Sequence, residues 1–155
     1  MGILSQAVSI TRYRVDGDIE KPILETVANG LTKHAMTEID DEATEVIIGW
    51  TSFENPFKPE FEGRSFSIGE YLVFSLRIDK KNIPSKIIKK YCALEALKAL
   101  AKSGRDYLSA KEKKMIKEHV INVLMLRIPS TPNIYDIIWH YEKSELWFFL
   151  QSEKR

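Results

Sequence analysis

The sequence predicts an α+β fold, an antiparallel or mixed sheet with helices packed on it, in the order β-α-β-β-α-α-β-β. Three features carry that reading. Residues 70–78 alternate with the two-residue period of a strand. The stretch from Pro84 to Leu126 holds two successive helical repeats divided by Gly104. The chain then closes on two aromatic-rich strands around a short turn. Strands joined by short turns, with helices gathered between sheet segments, differ from the regular alternation of a doubly wound parallel sheet. At 155 residues, with 44% hydrophobic and 29% charged side chains, the chain is expected to form one domain over residues 1–155. A chain of this size withdraws roughly 68–70% of its unfolded surface from water, enough for a core without metal or disulfide staples.

The elements follow in order. Ser5 to Val15 reads as the first strand; Val8 and Ile10 share one parity and Tyr13 and Val15 the other, so a bulge is expected near Thr11 and Arg12. Pro22 suits the first turn of a helix in which Ile23, Val27, Leu31 and His34 recur at helical spacing, although Gly30 weakens it by about 1 kcal/mol relative to Ala. The acidic stretch Glu38 to Glu45 separates this helix from a short apolar strand, Val46 to Trp50. Residues 52–66 carry Pro56, Pro59 and Gly63 among scattered Phe and read as a long, mobile loop whose aromatics tuck against the core.

Glu70 to Ile78 puts Leu72, Phe74, Leu76 and Ile78 on one face and Tyr71, Val73, Ser75 and Arg77 on the other, so Arg77 is expected to point away from the apolar side. After Pro84 a helix runs to about Lys102, with Gly104 as its stop. Ser109-Ala110-Lys111-Glu112 is a capping box opening the next helix, whose apolar face is Ile116, His119, Val120, Val123 and Leu126. Tyr135 to Tyr141 and Leu146 to Leu150 are strands around a turn at Lys143 and Ser144.

Several classes are set aside by what the chain lacks. The lone Cys92 forms no internal disulfide, and no Cys/His spacing offers a tetrahedral zinc site; a reducing cytosol fits. The run Leu146 to Leu150 is far short of the ~20 apolar residues of a membrane span, and the N-terminus lacks a secretory apolar region. Met1-Gly2 opens like a myristoylation signal, but Gln6 stands where Ser or Thr is required. The charged end Ser152 to Arg155 reads as the start of a further helix, as in a fragment of a longer protein.

The net charge of +1 conceals a segregation. Residues 1–76 hold 6 basic and 13 acidic side chains (net −7), residues 77–127 hold 14 and 5 (net +9), and residues 128–155 hold 3 and 4 (net −1). A field of one sign concentrates the opposite charge beside it, so the middle third is where a polyanion would be held. The candidate set is Arg77, Lys80 and Lys81 at the end of one strand; Lys86, Lys89 and Lys90 in the first turns of the long helix; Lys113, Lys114 and Lys117 on the capped helix; and Arg127. Spacing alone favours plain solvated surface for such lysines. Arg127 fits equally an ion pair with Asp136 or Glu118.

Tyr13-Arg14, Gly49-Trp50, Ile83-Pro84 followed by Ile87-Ile88, Gly104-Arg105, Leu108-Ser109, Glu112-Lys113, Lys117-Glu118-His119-Val120, Arg127 and Trp139 occur in an order and spacing that resemble the recombination-associated RdgC family. The resemblance covers nearly all of this chain but about the N-terminal half of the longer members, and Leu126 stands where the family pattern carries Pro. It implies a sequence-nonspecific DNA-binding protein of the cytoplasm and nucleoid, forming ring-shaped homodimers that enclose duplex DNA in a basic hole and restrain recombinase filaments. It turns the reading of the lysines toward phosphate contacts, which release condensed counterions and need no base readout.

The family has also carried a tentative exonuclease label, which makes a metal-dependent exonuclease the competing reading. Asp136, His140 and Glu142 share strand parity, yet no Glu-x-Lys completes a familiar nuclease signature, and Asp40-Asp41-Glu42 would fan out along a loop. Cys92 is expected to be a buried, inert thiol, and His34, His119 and His140 have no nucleophile motif to serve. No cofactor or metal is implied. Trp50, Trp139 and Trp147 read as structural. A third reading is a non-catalytic interaction or dimerisation module, in which the acidic N-terminal third meets a basic partner or the basic third of a second copy.

Overall fold

In the computed structural model, which describes residue 3 and residues 8–150, the elements run β1 (Ser9–Arg14), α1 (Ile23–Lys33), β2 (Val46–Thr51), β3 (Ser67–Ile68), β4 (Tyr71–Lys80), α2 (Ser85–Ser103), α3 (Ala110–Arg127), β5 (Thr131–His140) and β6 (Glu145–Leu150). The fold is α+β, with one six-stranded antiparallel sheet in the order β1-β6-β5-β4-β2 and β3 paired to β4. The element order matches the expected one, with the two-residue β3 added. The parts of the first-strand and terminal-helix expectations that fall on residues 5–7 and 152–155 lie outside the described residues.

The described residues divide into two compact units. One comprises the described residues up to Thr37, Ile47–Ile78 and the described residues from Pro132 on; the other comprises Glu38–Val46 and Asp79–Thr131.

In the first unit, α1 lays Val27 and Leu31 against Leu72 and Phe74 of β4 and Ile137 of β5, and the loop aromatics Phe61 and Phe66 complete the cluster. These side chains leave water almost entirely, each stabilising the fold by about 1.5–3 kcal/mol. Trp50 meets Phe74 edge to face at 5.2 Å, and Tyr135 stacks on Phe148 at 5.5 Å, so strand aromatics serve the packing. Gly49 has a steric reason. Met36 N–H donates to Trp50 O at 2.8 Å and Trp50 N–H to His34 O at 2.9 Å, and a Cβ at Gly49 would meet Met36 Cα at 2.5 Å.

Two local expectations are corrected. No bulge interrupts β1, whose register with β6 is continuous from Ser9↔Leu150 to Arg14↔Glu145. This edge strand is exposed on both sides, so burial does not dictate its parity. Arg77 does not face solvent: it is 3% exposed, its guanidinium lies 4.9 Å from the Phe57 ring, and Nη1 donates to Pro56 O at 3.4 Å. The reason is that β4 is buried on both faces, with Val73, Ser75, Arg77 and Asp79 as enclosed as Leu72 and Phe74.

The second unit is built on the α2–α3 hairpin. Gly104 ends α2 in the left-handed conformation, φ 69°, with its N–H donating to Leu100 O at 2.9 Å. The capping box is formed as expected: Ser109 Oγ accepts from Glu112 N at 3.2 Å, and the Glu112 carboxylate accepts from Ser109 N at 2.8 Å. Between them Leu108 is buried and Tyr107 is 78% exposed. α2 buries no residue, because its apolar side chains are spread around the axis rather than gathered on one stripe. Cys92 is accordingly half-buried rather than enclosed.

Candidate nucleic-acid interface

The hairpin is antiparallel. Tyr91 and Leu94 of α2 share a cavity wall with Val120 and Leu124 of α3, while Ile83 and Ile87 share another with Ile128. Lys86, Lys89 and Lys90 are exposed on the first turns of α2, and Lys113, Lys114 and Lys117 on the first turns of α3. Antiparallel packing therefore sets the two groups at opposite ends of the hairpin. The 16 steps from Lys86 to Lys102 measure about 24 Å at 1.5 Å per residue. Arg127 is exposed and lines the same cavity as Lys90, at the end where α2 begins. It makes no ion pair among the described residues; Asp136 instead accepts from Ser75 Oγ at 2.8 Å and Ile3 N at 3.1 Å. Lys80 is exposed at the end of β4.

Lys81 is a correction. It is 2% exposed, and its Nζ donates to Asp40 O at 2.9 Å, Glu42 O at 2.6 Å and Met125 O at 2.7 Å. All three ammonium protons are used inside the unit, so no phosphate reaches it. Its partners hold the acidic stretch after Glu38 to the last turn of α3. Asp40 completes this junction by accepting from Ser130 N at 2.9 Å and Ser130 Oγ at 2.8 Å. Arg77 and Lys81 thus leave the candidate set, and Lys98, Lys102 and Lys111, exposed on the helices, join it. Their only sequence signal was the high basic content of the middle third.

Over residues 85–127 there are 11 basic and 4 acidic side chains, and two of the acids are already engaged. Glu112 pairs with Arg105, which together with the Ser109 amide and hydroxyl pulls its carboxyl down to about 2; Arg105 is raised in return. Glu95 bonds to Lys98 at 2.9 Å, and that bond, then the Lys98 charge, lowers its pKa. The first turn of α2 carries Lys86, no acidic residue and no side-chain cap, so its amide dipoles and this lysine both face outward as positive charge.

The residues of the nuclease reading go to separate uses. His140, 4% exposed, accepts at Nδ1 from Lys143 N–H at 3.2 Å, leaving Nε2 to meet Glu70 Oε2 at 3.2 Å. Glu142 is exposed in the turn beyond β5. Among the described residues no group of three or more His, Cys, Asp or Glu side chains converges as a metal site, and no helix is long and apolar enough to cross a membrane.

An α+β chain whose cations are concentrated on an exposed helical hairpin has the electrostatic form of a polyanion-binding protein. The family model described as "Putative exonuclease, RdgC" matches residues 9–154, and the chain belongs to the RdgC family. No curated protein matches it.

Proposed function

We propose that this chain binds duplex DNA without reading its sequence, through phosphate contacts from Lys86, Lys89 and Lys90 at one end of the α2–α3 hairpin and Lys113, Lys114 and Lys117 at the other, with Lys80 and Arg127 beside the first group. The observation that carries the reading is the exposure of these lysines on a hairpin, residues 85–127, in which basic side chains outnumber acidic ones 11 to 4. A hairpin about 24 Å long spans roughly 7 base pairs at 3.4 Å each, and the reading lays one duplex along that length against both groups. A phosphate also compensates the uncapped first turn of α2. Membership of the RdgC family supports a role in modulating recombination, with nucleoid association and a homodimer as the accompanying proposals. The test is a gel-shift titration with two unrelated duplex sequences and a single strand side by side. Equal affinity for both duplexes is expected; a strong preference for one sequence, or no shift at low salt, rejects the reading.

A further inference from the structure

We propose that the groove between α2 and α3 is a docking site for an acidic, amphipathic helical segment of a partner protein. Two adjoining cavities, of about 410 and 350 Å³, share Tyr91, Leu124 and Arg127. The first is floored by Leu94 and Val123, the second by Ile87 and Ile128. Ile87 and Leu94 are 38% and 43% exposed, apolar side chains in water on a helix that buries none of its residues. They lie seven residues apart, about 10 Å along the axis, which is the spacing of two anchors at i and i+7 on an incoming helix.

Charge selects the occupant. Lys90, Lys98 and Arg127 line the groove against a single acid, Glu95, which Lys98 already neutralises at 2.9 Å. The remaining cations, Lys90 and Arg127, flank the shared floor between the two apolar pockets, where carboxylates between the anchors would meet them. A second copy of the hairpin would bring 11 basic and 4 acidic side chains against the same sign of charge. DNA offers no apolar anchor. At 100° per residue the arc of Ile87, Tyr91 and Leu94 is centred about 140° around α2 from that of Lys86 and Lys89, so these two lysines face away from the groove that Lys90 and Arg127 line.

The experiment is a fluorescence-anisotropy titration with a labelled synthetic helical peptide of about 14 residues, carrying Leu at two positions seven apart and Glu around them. Run at about 0.15 M salt, it is expected to saturate, with binding weakened at least about tenfold when Lys replaces Glu or Ser replaces Leu in the peptide. Leu94→Glu and Leu94→Ser, at an exposed position, are each expected to cost at least about tenfold, while K86A/K89A, which removes two lysines outside the groove lining, changes binding by less than about threefold. Equal binding of the basic peptide, or no saturation by about 500 µM, overturns the proposal. So does sedimentation showing a dimer that Leu94→Glu dissolves, which would make a second copy the occupant. Displacement of the peptide by duplex DNA, with DNA affinity lost in Leu94→Glu, also overturns it and gives the groove to DNA.

Discussion

The Lys81 ammonium donates to the carbonyl of Met125 at 2.7 Å, across 44 residues of sequence, and so caps the last turn of α3 from within the unit. The same nitrogen holds the carbonyls of Asp40 and Glu42. A lysine whose sequence neighbours suggest a surface cation is thereby the tie that keeps the acidic 38–45 stretch in its unit.

Lys81→Met keeps the aliphatic stem and leaves three carbonyls without their donor. We expect a loss of roughly 2–4 kcal/mol in urea unfolding, with hydrogen exchange faster at residues 40–45. Near-wild-type stability together with weakened DNA binding would return Lys81 to the phosphate-binding set.

Ser109→Ala removes one half of the capping box and should lower stability by about 1 kcal/mol in thermal or chemical unfolding. Glu112, the other half, has its carboxyl held at about 2 by Arg105 and Ser109. A depressed acid stabilises the fold above its unfolded pKa, about 4.3, and that contribution fades as pH falls toward about 2. Melting temperatures measured across this window should fall less steeply in Glu112→Gln than in the wild type; parallel curves would remove the pair from the account.

Gly49→Ala drives a methyl into the Met36 backbone, 2.5 Å away, where no flexible side chain can yield. The pairing of residues 34–36 with Trp50 must shift, at a cost of about 1–3 kcal/mol. Unfolding midpoints equal to the wild type would contradict the close approach of these two segments.

The two lysine groups should act together if duplex DNA lies along the hairpin. K113A/K114A/K117A is expected to weaken binding to a duplex of about 20 base pairs to an extent comparable with K86A/K89A/K90A. A triple variant at one end with wild-type affinity would confine the phosphate pairing to the other.

The parts of this molecule that were legible in the sequence are those fixed by local chemistry. Ser109 and Glu112 lie three residues apart and satisfy each other's amides, Gly104 supplies the left-handed stop, and the alternation from Leu72 to Ile78 gives the strand, so these elements follow from short-range rules. The burial of Arg77 and Lys81 was not legible. Arg77 is covered by Pro56 and Phe57 from a loop 21 residues upstream in sequence, and Lys81 takes its partners from 39 to 44 residues away. Nothing in an alternating strand or a Lys-Lys pair announces such partners. The candidate site was legible as a basic segment, but the antiparallel hairpin, a tertiary arrangement, decides that its lysines form two groups rather than one.

The most direct test of the phosphate-binding account is the salt dependence of duplex affinity, measured by anisotropy for the wild type and K86A/K89A/K90A. The logarithm of the association constant should fall steeply with the logarithm of salt concentration. The triple variant should flatten that slope by up to about 2.7, since each phosphate that no longer pairs with a lysine removes about 0.9. A slope identical in the two proteins would contradict it.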